Sequence, residues 1–545
     1  MALTRCVGMV GTPDDPKYEW SRAHLTELKE MGFHQLQVNI AWGDRPNDEP
    51  LNLEDVVMVP GLDDAARQRV EGLRARIRER VDLCREVGLR SLFHFGAPFN
   101  GRDPYGGAQP KSCIMDPSVV DRYRYLLAEL NRQIPGIDDI LVYTYDQDAW
   151  LCSEFESCPH CHGVPLHRRL PSFLTALCDT WASINHDGIV WWEPWELSAG
   201  QALRIIEALP CHHFGLCVHS NIGEVQLARP ADLWLRNTAM LAARRGIPVI
   251  CELFLSEYSE EVQPLRRIPC PVLTWEEIHT VSQIDGVVGV KEYYGLLPGH
   301  GDPCLAMAGE AIRRPEASLA ECLTAVAAPY GENAQAMIRF WERVSAAYRL
   351  YPWDVSWFAR EVGKASVDHG WSAAFLRGQQ CSTPSWDSTR HGIFMKTDDR
   401  QPHPWMLEDI GLRCGLAARE TALAIQEGEA ILPRLTGDMS QQMRETIRDL
   451  DAFRRVCVSY EVHLRETNVA MMLREELFRG RPLNQELVCE MGALLERDEE
   501  NQNHRGRVVR LRKEWQDDPE AWLQMYLLPC EEIRREKGYF SLTTR

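Results

Sequence analysis

The stretch Leu233–Leu253, LWLRNTAMLAARRGIPVICEL, decides the fold. Its first half spaces apolar residues in helical steps, Gly246 follows the last turn, and a short β-branched run then carries one carboxylate, Glu252, next to its end. The same helix–glycine–strand phrase recurs through the first part of the chain. Strands are expected at Cys6–Val10, Gln35–Ile40, Ser91–Phe95, Asp139–Tyr145, Ile189–Glu193, Phe214–Val218, Pro248–Leu253 and Val287–Glu292. Amphipathic helices fill the intervals, among them Trp20–Met31, Asp64–Val87, Val119–Gln133 and Leu166–Ile184. Gly32, Gly88, Gly188 and Gly246 stand where a left-handed residue ends a helix. Eight strands, each followed by a helix, predict an α/β fold, the (β/α)8 TIM barrel. A doubly wound open sheet is the competitor. The count of eight weighs against it, and so does GMVGTPDD (residues 8–15), which is not the GxGxxG turn of a dinucleotide fold.

The chain of 545 residues is longer than one barrel needs. The expected division is a catalytic barrel with closing helices over 1–351, an irregular Trp/Pro-rich connection near the barrel face over 352–404, and an all-α C-terminal domain over 405–545, broken near Gly480–Pro482. Sixty Lys+Arg against 79 Asp+Glu give a formal charge of −19, which argues against a nucleic-acid partner. No apolar run reaches the roughly 18 residues a membrane span needs. The opening MALTRCVGMVG has no basic region followed by an apolar core, so no signal peptide and a cytoplasmic location are expected. Eighteen cysteines, many inside apolar runs, fit reduced thiols better than a disulfide framework. The helical tail has mixed charge and apolar spacing suited to packing on the barrel or on a second copy, so a homodimer is compatible with it.

Active sites of such barrels are built where strands end. The ends here are polar: Asp14 and Asp15; Asn39, Trp42 and Asp44; His94; Tyr143, Tyr145, Asp146 and Asp148; Trp191, Trp192, Glu193, Trp195 and Glu196; His219 and Asn221; Glu252; Lys291, Glu292, Tyr293 and Tyr294. Carboxylates interleaved with Trp and Tyr are what sugar hydrolysis needs. One acid protonates the leaving oxygen, a second carboxylate acts as base or nucleophile, and aromatic faces stack on the sugar's C–H faces. Asp148 is the expected acid, Asp146 orients it, and Glu252 is the second carboxylate, with Glu193, Glu196 and Glu292 as rivals. Asp14, Asn39, His94, Tyr145, Trp192, Trp195, Lys291 and Tyr293 are expected to shape the sugar subsite. Three other readings stay open: a sialidase-type site using Asp14 and a His, a metal-dependent isomerase or lyase using His94, Glu252, Asp146 and His219, and a sugar-binding barrel without catalysis.

A second feature is Cys152-x5-Cys158-x2-Cys161, with His160 and His162 beside it. CPHCH has zinc-knuckle spacing, and a structural zinc is one reading. The fourth ligand is then His160, His162 or a distant residue such as Cys113. Unliganded thiols in a folded loop are the other reading. The hydrolase itself requires no cofactor.

The turn YDQDAWLCSEFESCPHCHG (145–163), and the order barrel then helical tail, resemble the TIM-barrel exo-glycosidases of glycoside hydrolase families 20, 67 and 84. In families 20 and 84 an adjacent acidic pair follows the fourth strand; here Gln147 splits it. KEYYG (291–295), RRPEASLAECLTAVAAPYG (313–331) and RFWERVSAAYRLYPWD (339–354) are similar to the ends of such barrels. A weaker similarity is to the family 156 sialidases, which also have an Asp soon after the first strand. The resemblance implies exo action on a terminal sugar.

Overall fold

The computed structural model describes residues 3–12, 18, 20–40, 49–99, 112–144, 149–155, 157–194, 197, 199–218, 233–259, 262, 265–353, 404–502 and 506–525. Asp14, Asp15, Trp42, Asp44, Tyr145, Asp146, Asp148, Trp195, Glu196, His219, Asn221 and most of the connection 352–404 lie outside the described residues.

Eight strands alternate with eight helices: β1 (Arg5–Met9), α1 (Arg22–Glu30), β2 (Gln35–Gln37), α2 (Asp64–Val87), β3 (Arg90–Gly96), α3 (Pro117–Gln133), β4 (Asp139–Tyr143), α4 (Leu166–Ile184), β5 (Val190–Glu193), α5 (Ala199–Ile206), β6 (Phe214–Val218), α6 (Leu233–Arg244), β7 (Val249–Leu253), α7 (Pro271–Ser282), β8 (Val287–Glu292) and α8 (Pro303–Arg313). Each strand pairs in parallel with the next, and β8 returns to β1 with Arg5 opposite Gly289 and Val7 opposite Lys291. The sheet is therefore a closed (β/α)8 barrel with no edge to protect.

Local chemistry sets the boundaries. Asp63, Asp116 and Asp302 cap α2, α3 and α8 by accepting backbone N–H bonds, and Pro117 and Pro303 occupy first-turn positions that need no N–H. Gly88 and Gly246 stop their helices with φ of 80° and 73°. Gly188 differs from the sequence expectation: its φ is not positive. It is glycine because a Cβ would lie 2.4 Å from Trp181 Nε1 and 2.8 Å from Asp138 O.

Strand alternation splits the core in two. Cys6, Leu36, Phe93, Ile140, Trp192, Leu216, Cys251 and Val290 face the helices. Val7, Leu92, Leu141, Trp191, Cys217 and Ile250 form a separate apolar layer inside the barrel. Gly215 admits the Trp191 ring, whose Cζ3 is 2.3 Å from where a Cβ would stand. Below this layer the fully buried Asp139 carboxylate accepts from Arg5 (3.2 Å), Gln35 (3.0 Å), Arg90 (2.9 Å), the Ile189 N–H (2.9 Å) and Trp191 Nε1 (3.4 Å). One carboxylate thus ties β1 to β5 at the N-terminal end.

The chain divides into two compact units, Met1–Ser259 with Cys270–Ala334, and Glu260–Pro269 with Gln335–Arg545. The first holds the barrel and α9 (Leu319–Ala327). The second holds nearly all of α10 (Ala334–Leu350), then α11 (Pro404–Ile431), α12 (Gly437–Phe478), α13 (Gln485–Asn501), α14 (Gly506–Asp517) and α15 (Pro519–Met525), and is all-α in its described elements. The division falls at Ala334, ahead of the expected 351. Arg343 of α10 donates to Glu420 and Glu427 of α11 at 2.8 and 2.7 Å, and Tyr348 stacks on Phe453 of α12. Within the same unit the Arg266 and Arg267 N–H groups donate to Asp449 at 2.8 and 3.0 Å. No helix among the described residues is long and apolar enough to cross a membrane.

Removing the Asp139 carboxylate strands buried donors from several strands. Asp139→Ala is expected to lower stability by about 3 kcal/mol, and Asp139→Asn by less. Asp121→Asn, at an exposed pair with Arg124, is expected to change it by under about 0.5 kcal/mol. Urea midpoints of the three variants check this.

Candidate active site

One step above the apolar layer, at the C-terminal ends of the strands, the inward positions turn polar. They are Gln37 on β2, His94 on β3, Glu193 on β5, Glu252 on β7 and Lys291 on β8, each no more than 2% exposed. Two pairs organise them. Lys291 Nζ donates to Glu252 Oε1 and, at 3.0 Å, to the Glu292 carbonyl. His94 Nε2 lies 3.3 Å from Glu193 Oε2, and its ring meets the edge of Tyr143 with centroids 5.2 Å apart. Tyr143 can lie there because Gly96 has no Cβ: one would sit 2.7 Å from the tyrosine Cζ.

The dry surroundings set the protonation states. Burial, then the Glu193 charge, push the Glu252 carboxyl up to about 8, against the lowering effect of Lys291. Burial would lower the Lys291 ammonium, but Glu252, Cys217 and Glu193 outweigh it and hold it above its usual value. Burial and the Lys291 charge bring His94 down to about 3, so its imidazole is neutral. The site is one ammonium facing two carboxyls, and Glu252 exchanges its proton close to neutral pH. A group that does so is suited to accept a proton during catalysis.

Four expected site residues do other work, for reasons of strand parity and local bonding. Trp192 follows the inward Trp191 and so faces the helices, where its Nε1 lies 3.3 Å from Thr144 Oγ1. Glu292 follows Lys291 and turns outward. Its carboxylate accepts the N–H groups of Leu255 (2.8 Å), Tyr294 (2.9 Å) and Gly295 (2.9 Å) and fastens the loops after β7 and β8. Burial raises it to about 7. The Asn39 amide joins Pro50 O (3.0 Å) to His94 O (2.8 Å) and accepts from the His94 N–H (3.0 Å), so it positions His94. Tyr293 is buried edge-on to Phe254, centroids 5.0 Å apart. Gln37 belongs to this inward layer and was not picked out in the sequence. Its signal was the two-residue step Gln35, Gln37, Asn39, with polar residues where a strand core is usually apolar. In the loop after β4, Cys152, Cys158 and Cys161 come together with Cys113 from the segment before α3.

No protein-family model matches the sequence, and no curated protein matches it significantly. Solved structures do. A GH138 enzyme targeting pectin rhamnogalacturonan II aligns at TM-score 0.56 and 10% identity, over 93% of this chain and 63% of that one. This chain therefore spans under two thirds of that enzyme's length. Xyloglucan-bound PbGH5A, a glycoside hydrolase family 5 enzyme from Prevotella bryantii, aligns at TM-score 0.38 and 12% identity, over 57% of this chain and 95% of that one. A family 5 xyloglucanase from Paenibacillus pabuli aligns at 0.36 and 11%, over 57% and 98%. These structural neighbours are glycoside hydrolases with a barrel, and at such identities the likeness is one of fold. They lend no support to families 20, 67, 84 or 156.

Breaking the buried pair makes stability depend on pH. Lys291→Met leaves Glu252 without its cation, and the expected loss is about 3 kcal/mol. The Glu252 carboxyl is raised above its unfolded value, so stability falls as pH climbs from the unfolded towards the folded pKa. Without Lys291 the folded value rises further and the fall continues past 8. Urea midpoints are therefore expected to show a larger deficit at about pH 9 than at about pH 6.

Proposed function

We propose that the protein is an exo-acting glycoside hydrolase whose reaction takes place at the C-terminal face of the barrel. The observation that carries this reading is the pairing of Glu252 with Lys291 beside Glu193 and His94, on the strand ends where barrel enzymes keep their chemistry. Two carboxyls, one ammonium and a neutral imidazole in a dry floor supply a proton acceptor near neutral pH and polar partners for sugar hydroxyls. Glu252 is the second carboxylate and takes the proton of the attacking water. Asp148, from the loop after β4, gives a proton to the leaving oxygen, and Asp146 orients it. His94 and Lys291 hold the two carboxyls, and Trp195 and Tyr145 offer faces to the sugar ring. A floor of groups this deeply buried suits the end of a glycan better than a continuous run of it. The GH138 likeness makes pectic oligosaccharides the first natural substrates to try, beside a panel of aryl glycosides.

In the panel, wild type is expected to release a terminal sugar, while Asp148→Asn and Glu252→Gln lose about 10²- to 10⁴-fold in kcat/KM. Absence of turnover on every substrate, or full activity in Asp146→Asn, Asp148→Asn and Glu252→Gln alike, defeats the proposal.

The pH profile gives a separate check. The base works when ionised, so kcat/KM is expected to rise with pH up to about 8, where Glu252 loses its proton. Glu193→Gln removes the like charge that raises Glu252, so this limb moves to lower pH. An unmoved limb contradicts the assignment of Glu252.

A further inference from the structure

We infer that Cys113, Cys152, Cys158 and Cys161 form a tetrahedral Zn2+ site that clamps the loop after β4 to the segment leading into α3. The four Sγ atoms all lie within 4.8 Å of one another. A tetrahedron with Zn–S bonds of about 2.3 Å has S···S edges of about 3.8 Å. The Cys113 and Cys158 sulfurs are 3.6 Å apart, close to that edge and far longer than a disulfide of about 2.05 Å. All four are free thiols, three of them buried. Soft thiolates at this spacing select zinc over hard cations, and four of them make a closed structural site.

The backbone around the thiols is built for a metal. The Asp116 N–H donates to Cys113 O at 2.9 Å and fixes Cys113 just ahead of α3. The His162 N–H donates to Cys158 O at 3.1 Å and the Val164 N–H to Cys161 O at 2.9 Å, closing the tight turn between the paired ligands. Backbone N–H groups of His160 and Cys161 point at Cys158 Sγ, as they do towards thiolates. Binding displaces four thiol protons to water and leaves a centre of charge −2. Buried Arg169 stands beside it, donating to Cys152 O at 2.7 Å and to the Glu154 carboxylate at 3.4 Å.

The site lies shortly after Asp146 and Asp148 in the chain. Three ligands come from the loop that carries these carboxylates and the fourth from the loop after β3, so the metal joins two loops of the catalytic face. Its effect on turnover rests on the hydrolase reading; its existence does not.

The full chain, purified with a reductant and no chelator, is expected to hold about one zinc by elemental analysis, as is Cys489→Ser, at an exposed thiol outside the cluster. Cys113→Ser and the double variant Cys158→Ser/Cys161→Ser are expected to hold under about a fifth of that. If those variants do not fold, Co2+ added to the zinc-stripped wild type decides, by the thiolate charge-transfer band and strong tetrahedral d–d bands. Metal-free protein with four titratable thiols, disulfides among the four, iron in place of zinc, or a Co2+ spectrum without thiolate bands overturns the site. Stripping zinc is expected to lower kcat about tenfold, with recovery on adding zinc back. A zinc-loaded chain that hydrolyses no glycoside defeats the hydrolase reading and leaves the metal site standing. An active chain without zinc does the reverse.

Discussion

A parallel strand in a closed barrel is buried on both faces, and successive side chains go to different interiors. That constraint sorts the described residues at the C-terminal ends of the strands. Trp191 fills the barrel while Trp192 packs under the helices. Lys291 joins the polar floor while Glu292 ties two loops together from outside. Neighbours of like chemistry in the sequence thus end in different environments with different work to do. The apolar layer beneath keeps water out of the floor from below, and the Asp139 network closes the barrel under that layer.

Dryness then governs the electrostatics. In water Glu252, Glu193 and Lys291 would each keep ordinary protonation. In the barrel, two carboxyls share one ammonium, and the carboxylate that cannot be fully compensated holds its proton to about 8. The neutral His94 follows from the same lack of solvent and from the Lys291 charge. Such a set is expensive to bury, since each charge depends on its partner, and barrels that are only scaffolds fill this layer with aliphatic residues. The cost is an argument for function that does not depend on the neighbours' names.

The C-terminal end of the barrel is also where the connections from strand to helix are long, as after β3 and β4. Long loops lack the packing that strands supply, so a loop that must keep one geometry needs another fastening. Here four thiols from two loops come together, next to the buried Arg169. The helical unit is held by different means, by aromatic stacking of Tyr348 on Phe453 and ion pairs such as Arg343 with Glu420 at 2.8 Å.

The barrel follows from local pattern. Eight short apolar runs with helical patterns between them, four of those patterns ending at a glycine, leave little else to build, and the observed strands match the expected ones to within a few residues. Gly88 and Gly246 were legible because a left-handed stop is a local event; Gly188 was misread because its reason is the Trp181 ring, close only in space. The polar strand ends named Glu193, Glu252, Lys291 and His94 as candidates, since polar residues there break a local pattern. Which of them pair, that Trp192 and Glu292 turn away, and that Cys113 joins Cys152, 39 residues further on, become visible once the chain is folded. Local periodicity is written in neighbouring residues, whereas pairing, burial and the protonation that follows from them depend on which strands lie across the barrel from one another.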